Sequence, residues 1–308
     1  MKNIKIQAPA TVANLSCGFD ILGLCLDKPF DEVEVDKINE KKVVIELAES
    51  KYSNIPTDPR KNTGGLPAIR IIEDLKLNFG FKIKIKKGIP LCGGMGSSAS
   101  TASGVVFAIN KILNETLTDK EMLKYALIGE SVSVKNPHAD NIAPCLFGGL
   151  TIIRDTKTLD IININVPDLY VCLIHPDISV STQDARDMLP NKIKLASAVK
   201  QWGNIAALVT GFANGDFELI KRSMQDEIIE PVRAPLISGF YDIKNKSIDL
   251  GALGCGISGS GPTIFAICES KIIAKKIMDF SKNFYRTCGI DCDVYISKVN
   301  HTGPKVLK

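Results

Sequence analysis

PLCGGMGSSAS, residues 90–100, packs three glycines (Gly93, Gly94, Gly96) into four positions, and two serines and small residues follow at once. Upstream, Phe79 to Lys87 (FGFKIKIKK) alternates apolar and polar residues with a period of two, which predicts a strand. Downstream, Ser97 to Asn114 (SSASTASGVVFAINKILN) predicts a helix whose apolar residues thicken toward its C-terminal half. The order is strand, glycine loop, helix start. Glycine lets backbone N–H groups turn toward a ligand, and the first N–H groups of a helix have no partner within it. Together with the positive end of the helix dipole they form an anion site. The stretch predicts a loop that holds phosphates.

The chain of 308 residues suits two domains better than one. Hydrophobic and charged fractions of 45% and 23% are those of an ordinary globular protein. The net charge of +4 is modest, and a pI near 8.5 lies below the value of about 9 expected of a nucleic-acid domain. Lysines are scattered and aromatics make up only 6%, so no basic stripe interleaved with stacking residues exists, and nucleic acid is not expected as a partner. The nine cysteines are dispersed singly, with no C-x-x-C pair, which predicts free thiols in a reducing compartment. No apolar run reaches the roughly 18 residues of a membrane span, and MKNIKIQAPAT does not read as a signal peptide. No membrane partner and a cytoplasmic location are expected.

Around the glycine loop the elements mix without a steady βαβ rhythm, which predicts two α+β domains, 1–166 and 167–308, parted at Val166-Pro167-Asp168. Phe30–Val35 (FDEVEV) and Lys42–Leu47 (KVVIEL) read as a hairpin pair of an antiparallel sheet. APATVANLSCGFDILG, residues 8–23, reads as a loop carrying Asn14 and Asp20, and the pattern alone fits ordinary Asx turns equally well. Leu66–Leu77 and Asp119 onward have helical spacing, the second capped by Thr118 and ending near Glu130, an acid that opposes its own helix dipole. NPHADNIAP, residues 136–144, reads as a loop placing His138, Asp140 and Asn141 together, a set that suits a metal, a phosphate or a polar substrate. The second half is expected to open with a strand at Leu169–His175, continue through helices near 182–188, 193–213 and 216–224, and carry a second glycine-dense stretch at Gly251–Gly261 before a strand at Pro262–Cys268.

The loop is not a Walker A element, because no Gly-Lys-[Ser/Thr] follows its glycines. A dinucleotide fold is disfavoured too: Gly94-x-Gly96-x-x-Ala99 fits the fingerprint, but the segment from Asp119 is helical where a second parallel strand is required. Without a loop lysine, charge must be neutralised by backbone N–H groups, the helix dipole and a metal.

PLCGGMGSSAS resembles the P-x-x-x-G-L-G-S-S-A loop of the GHMP small-molecule kinases, and GCGISGSGPTIFAI (254–267) resembles their third motif. APATVANLSCGFDILG and HADNIAP resemble the homoserine kinase branch of that family, so the resemblance spans about residues 5–298 in four motifs. It implies a two-domain α+β architecture, with an N-terminal domain like domain 2 of ribosomal protein S5 and a ferredoxin-like C-terminal domain. It further implies ATP-dependent phosphorylation of L-homoserine to O-phospho-L-homoserine in threonine biosynthesis, with magnesium, by a homodimer. The loop Pro90, Leu91, Cys92, Gly93, Gly94, Met95, Gly96, Ser97, Ser98, Ala99 and Ser100 would hold ATP, with Asn62 near the adenine and Ser98 and Glu130 on Mg²⁺. Asn14, Asp20, His138, Arg186 and Arg233 would grip the amino acid: the arginines suit a carboxylate and Asp20 an ammonium. By pattern alone, each arginine is more often a surface helix residue.

Phosphoryl transfer has a loose transition state, so positioning and charge neutralisation supply most of the catalysis. Asp140 is the candidate general base, Asn141 beside it leaves room for a reaction without one, and Thr182 lies near Arg186 at the acceptor end. The sequence departs from the family pattern at Val12, Ser16, Cys17, Met95 and Ser100, and has Gly64-Gly65 where Thr-Ala-Gly is usual, while Asn14, Gly18, Phe19, Asp20 and Gly23 stay in place. Two rival readings are a kinase of mevalonate or shikimate, which need no partner for an ammonium, and a silent nucleotide sensor, which has no need of Ser98 and Glu130.

Overall fold

A computed structural model of the chain describes residues 3–52, 55–132 and 138–307. The first half runs β1 (Asn3–Ala13), β2 (Leu22–Ile38), β3 (Val43–Leu47), α1 (Gly65–Asp74), β4 (Gly80–Lys86), α2 (Ser97–Ile112), α3 (Asp119–Glu130), α4 (Ala139–Phe147), β5 (Leu150–Asp155) and β6 (Asp160–Ile164). The second runs β7 (Tyr170–Pro176), α5 (Thr182–Asp187), α6 (Leu195–Asn214), α7 (Phe217–Ser223), α8 (Glu230–Arg233), a 3-10 turn, α9 (Phe240–Asp249), β8 (Gly254–Ile257), β9 (Ile264–Cys268), α10 (Lys271–Thr287), β10 (Cys292–Lys298) and β11 (Lys305–Leu307).

The alternation of β4 buries Phe81, Ile83 and Ile85 against the core and exposes Lys84 and Lys86. The expected hairpin between the strands at 30–35 and 42–47 does not form. Instead β4 lies between them, antiparallel to β2 (Val33↔Ile85) and parallel to β3 (Ile45↔Ile83). The outward residues explain the order. Glu32, Glu34 and Asp36 of β2 and Glu46 of β3 would repel as neighbours, and the lysines of β4 separate them, Lys86 pairing with Glu32 and Lys82 with Glu46. Alternation fixes which face is buried; it does not name the neighbouring strand.

Two expected loops are also shorter than the pattern suggested. Residues 8–13 belong to β1, where Thr11, Val12 and Ala13 pair with Cys25, Leu24 and Gly23 beyond a register shift. All three are buried, which removes the alternation a sequence reading relies on. Residues 139–147 form α4 even though Pro144 sits inside it. Proline takes away the N–H that would bond the Asp140 carbonyl; that carbonyl lies against Gly23, where a Cβ would come within 1.8 Å of it. Residues 136 and 137 of the same stretch lie outside the described residues. The second glycine-dense stretch contains β8, and the expected strand at 262–268 begins at Ile264.

The first sheet has seven strands, with β11-β1-β2-β4-β3 as its main path and β5 and β6 branching from β2. The second has the order β10-β7-β9-β8, all neighbours antiparallel. That order, together with the helices between its strands, is ferredoxin-like. One apolar cluster joins the sheets, packing Ala10, Val12 and Leu24 with Val171, Leu173 and Phe265. The chain also returns from the second half to pair β11 with β1 (Ile6↔Val306). A shared core and a returning strand fix the mouth of the cleft between the halves. All nine cysteines are free, six of them buried. Among the described residues no helix is long and apolar enough to cross a membrane.

Candidate active site

A cavity of about 480 Å³ opens where the halves meet, lined by the glycine loop, the 14–20 loop, the start of α4 and both arginines. Gly94 (φ +76°) and Gly96 (φ +68°) are left-handed. A Cβ on Gly96 would lie 2.1 Å from Thr11 Oγ1, and one on Gly94 would lie 2.2 Å from the Ser258 carbonyl oxygen. Only glycine fits either place. Thr11 Oγ1 donates to Asn141 Oδ1 at 2.7 Å, and Ser258 Oγ donates to the Gly94 carbonyl at 2.6 Å. Residues from β1, α4 and the β8–β9 turn thus clamp the loop. Gly96 caps α2 without a side chain, and Gly96, Ser97, Ser98 and Ala99 line the cavity. The N–H groups of such an open helix start suit an anion.

A group absent from the sequence reading underlies this loop. Lys87 Nζ is buried in contact with Asp31 and donates to the Ser97 carbonyl (2.7 Å) and Thr101 Oγ1 (2.9 Å). Asp31 Oδ1 accepts from the N–H groups of Gly88 (2.9 Å) and Ile89 (3.1 Å). The pair ties β2, the exit of β4 and the first turn of α2 together.

Glu130, at the end of α3, also lines the cavity. Burial raises its carboxyl above the usual range, opposed by a hydrogen bond from Ser98 and the charge of Lys87. Its Oε2 is buried with no hydrogen-bond partner among the described residues. A buried carboxylate oxygen without a partner is costly to the fold unless another group offsets it.

The 14–20 loop is strained. Asn14, Leu15, Ser16 and Asp20 all have positive φ (73°, 43°, 67° and 61°), and such backbone costs of order 1–3 kcal/mol per residue. Asn14 holds the loop: its Oδ1 accepts from the Asp20 N–H at 3.0 Å and its Nδ2 donates to the Gly259 carbonyl at 2.9 Å. Arg233 Nη1 donates to the same carbonyl at 2.9 Å. Asp20 pairs with Arg186 Nη2 at 2.5 Å, and His138 Nδ1 stands 3.7 Å away. Phe19 lies beside both guanidinium groups, 5.6 Å from that of Arg186 and 5.1 Å from that of Arg233. Burial lowers His138, with Asp20 pulling it up and both arginines pulling it down.

Asp140 is buried and its carboxyl is raised from 3.8 to about 7, first by burial and then by Asp20 and Glu130. Its Oδ1 accepts from Asn141 Nδ2 at 3.3 Å. The fold favours the neutral form, so this group costs stability progressively above its unfolded value, and the full cost is reached once pH passes about 7. Asp140→Asn is therefore expected to raise thermal stability more at pH 8 than at pH 5.5, by about 2 kcal/mol at 1.4 kcal/mol per pH unit. Thermal unfolding at the two pH values checks this; an equal shift at both would show that the carboxyl does not titrate in this range.

Several expected site residues stand back from the cavity. Asn62 is buried, its Nδ2 donating to the Pro56 carbonyl (2.7 Å) and its Oδ1 accepting from the N–H groups of Gly64 and Gly65 (2.9 and 3.1 Å). The cavity wall there is formed instead by Pro56, Lys61 and Thr63. Met95 is in the core, Pro90 is buried, and Ser100 Oγ donates to the Ala8 carbonyl at 3.0 Å. Leu91, Cys92, Gly93, Asn14, His138 and Asn141 do line the cavity. Thr182 begins α5, but its side chain lies outside the described residues.

Comparison with known proteins agrees with this geometry. The model for the GHMP kinases N terminal domain matches residues 66–149, and that for GHMP kinases C terminal matches residues 206–287. Homoserine kinase of Chloroherpeton thalassium is 41% identical over the whole of both chains. That of Methanococcus vannielii is 39% identical over 97% of each. The crystal structure of homoserine kinase from Cytophaga hutchinsonii has a TM-score of 0.94 at 45% identity, covering 100% of this chain and 98% of that one. Full-length identity of this order, joined to a lysine-free glycine loop between an S5-like and a ferredoxin-like domain, places the chain in the GHMP kinase family, in its homoserine kinase branch.

Proposed function

We propose that the protein transfers the γ-phosphoryl group of ATP to the side-chain hydroxyl of L-homoserine, giving O-phospho-L-homoserine for threonine biosynthesis. The observation that carries this reading is the Asp20–Arg186 pair, flanked by Phe19 and Arg233, beside the phosphate loop. A zwitterionic amino acid satisfies both members at once, its ammonium on Asp20 and its carboxylate on the guanidinium groups. Mevalonate and shikimate offer the carboxylate but bring no cation for Asp20 in exchange for Arg186.

In the reaction the homoserine oxygen forms a bond to the γ-phosphorus as the bond to the ADP oxygen breaks. The hydroxyl proton passes to Asp140, whose carboxyl near pH 7 suits a base at neutral pH. Asn141 orients that carboxyl and, with Thr11, holds Gly96. The N–H groups at the start of α2 hold the phosphates, and Lys87 fixes that turn through the Ser97 carbonyl. Magnesium fits the orphan oxygen of Glu130 together with Ser98, and when bound it neutralises charge on the phosphates. Among the described residues no group of three or more His, Cys, Asp or Glu side chains could hold a metal, which suits a magnesium ion held largely by substrate phosphates. Asn62 shapes the adenine wall through its loop, and Thr182 serves the acceptor end. Free, mostly buried thiols suit the cytoplasm, and the active form is a homodimer.

A coupled assay of ADP release with homoserine, threonine, mevalonate and shikimate, in the presence of magnesium, tests the reading. Turnover is expected with homoserine, and its absence would sink the proposal. Asp20→Ala is expected to lower kcat/KM for homoserine by about 10²-fold, since a charge-assisted bond contributes about 1.5–3 kcal/mol. A silent sensor would bind ATP and turn over none of the four.

A further inference from the structure

We propose that the outer face of α6 is the homodimer interface, formed by two copies of this helix crossing antiparallel about a two-fold axis level with Asn204. Five of the ten exposed large apolar side chains among the described residues fall between Met188 and Trp202. Three of them, Leu195 (71% exposed), Val199 (55%) and Trp202 (59%), stand at i, i+4 and i+7 on α6. The stripe continues through the exposed Ala206, Thr210 and Ala213. The opposite face carries the buried residues Ala198, Gln201, Leu208 and Phe212. Large side chains occupy the N-terminal half of the stripe and small ones the C-terminal half. Gly203, beside Trp202, would have nothing within 4 Å of a Cβ.

An antiparallel pair makes this asymmetry self-complementary. Trp202 of one copy then lies over Ala206 and Gly203 of the other, and Leu195 over Ala213. A two-fold contact presents the same patch from both sides, as isologous dimers require. The flanking charges match in the same register. Lys192 and Lys194 are exposed before the helix starts, and Asp216 and Glu218 are exposed after it ends. The pairing that sets Trp202 over Ala206 brings these lysines against those carboxylates at both ends, about 30 Å apart along a 20-residue helix. Complementary charge of this kind fixes register and orientation. From its buried face α6 donates Gln201 Nε2 to the Cys17 carbonyl at 2.9 Å, so the interface backs the loop that carries Asn14 and Asp20.

The inference rests on the homodimer reading above, and sedimentation velocity at micromolar concentration separates the two. Wild type is expected at twice the chain mass of 33.4 kDa, and Trp202→Glu at the single-chain mass. Trp202 is exposed within the single chain, so the variant should keep its circular dichroism. Reversing Lys192 and Lys194 to glutamate should also give monomer, and adding Glu218→Lys should restore dimer. A wild type that stays monomeric overturns both the interface and the homodimer. A Trp202→Glu protein that stays dimeric overturns the interface alone, leaving the dimer to another face. Neither result touches the kinase reading, which the coupled assay decides.

Discussion

Glu130→Gln is expected to lower kcat by about 10³-fold while raising the Tm above that of the unaltered protein. The two effects have one source. Burial disfavours the charged carboxylate of Glu130, and its Oε2 has no hydrogen-bond partner among the described residues. An acid whose folded pKa is raised destabilises the fold at pH values above its unfolded pKa, because folding must then either take up a proton or bury the charge. At pH 8 that cost is present, and glutamine removes it while keeping the shape and the hydrogen bond from Ser98. What glutamine does not keep is the anionic oxygen that would hold magnesium. Charge stabilisation of this kind is worth several kcal/mol, and about 4 kcal/mol corresponds to 10³-fold in rate. Turnover at saturating ATP and homoserine, read beside thermal unfolding at pH 8, tests both halves. Loss of turnover together with a lower Tm would make Glu130 a structural residue, and retained turnover would remove it from the site.

The same trade shows why some of the site is legible in sequence and some is not. The glycine loop announces itself, because φ near +70° at Gly94 and Gly96 admits little else and the helix start follows directly. Asn14 and Asp20 stand out as polar residues among apolar neighbours, and their left-handed backbone is the strain that such a loop concealed. The partnership of Asp20 with Arg186 spans 166 residues, and no local pattern encodes it. The order β2-β4-β3 is hidden for a related reason. Alternation reports burial, whereas the order depends on acidic faces separated by a lysine face. Asn62 reads as a ligand residue by resemblance, yet its amide is occupied by its own loop. α4 was obscured by Pro144, which takes away the N–H that would bond the Asp140 carbonyl. Lys87 and Asp31 are different, since the signal was there. Lys87 continues the inward phase of Phe81, Ile83 and Ile85, and Asp31 shares the phase of Val33 and Val35, so the two strands point both charges into the core.

That buried pair carries the largest expected stability effect. Lys87→Met is expected to destabilise the fold by about 3–5 kcal/mol, the usual cost of stranding one charge of a buried pair. Asp31 keeps the N–H groups of Gly88 and Ile89, but two neutral donors do not replace an ammonium group. Asp31→Asn is expected to cost a similar amount for the mirrored reason. It leaves Lys87 charged between the Ser97 carbonyl and the Thr101 hydroxyl. The double variant removes both charges, keeps a side-chain oxygen for the two backbone donors, and should recover most of the loss. Denaturant unfolding of the four proteins gives the coupling as a double-mutant cycle, expected to exceed either single loss, that is, more than about 3–5 kcal/mol. If the single losses simply add, each side chain acts alone and the pair is not the unit that holds the loop. A functional readout runs beside the stability one. Lys87 anchors the carbonyl of Ser97, in the turn whose N–H groups would hold the phosphates in the proposed reaction. The double variant should therefore regain stability without regaining the native KM for ATP. Recovery of both would reduce the pair to a fold staple; recovery of stability alone makes it the group that sets the first turn of α2 for phosphate.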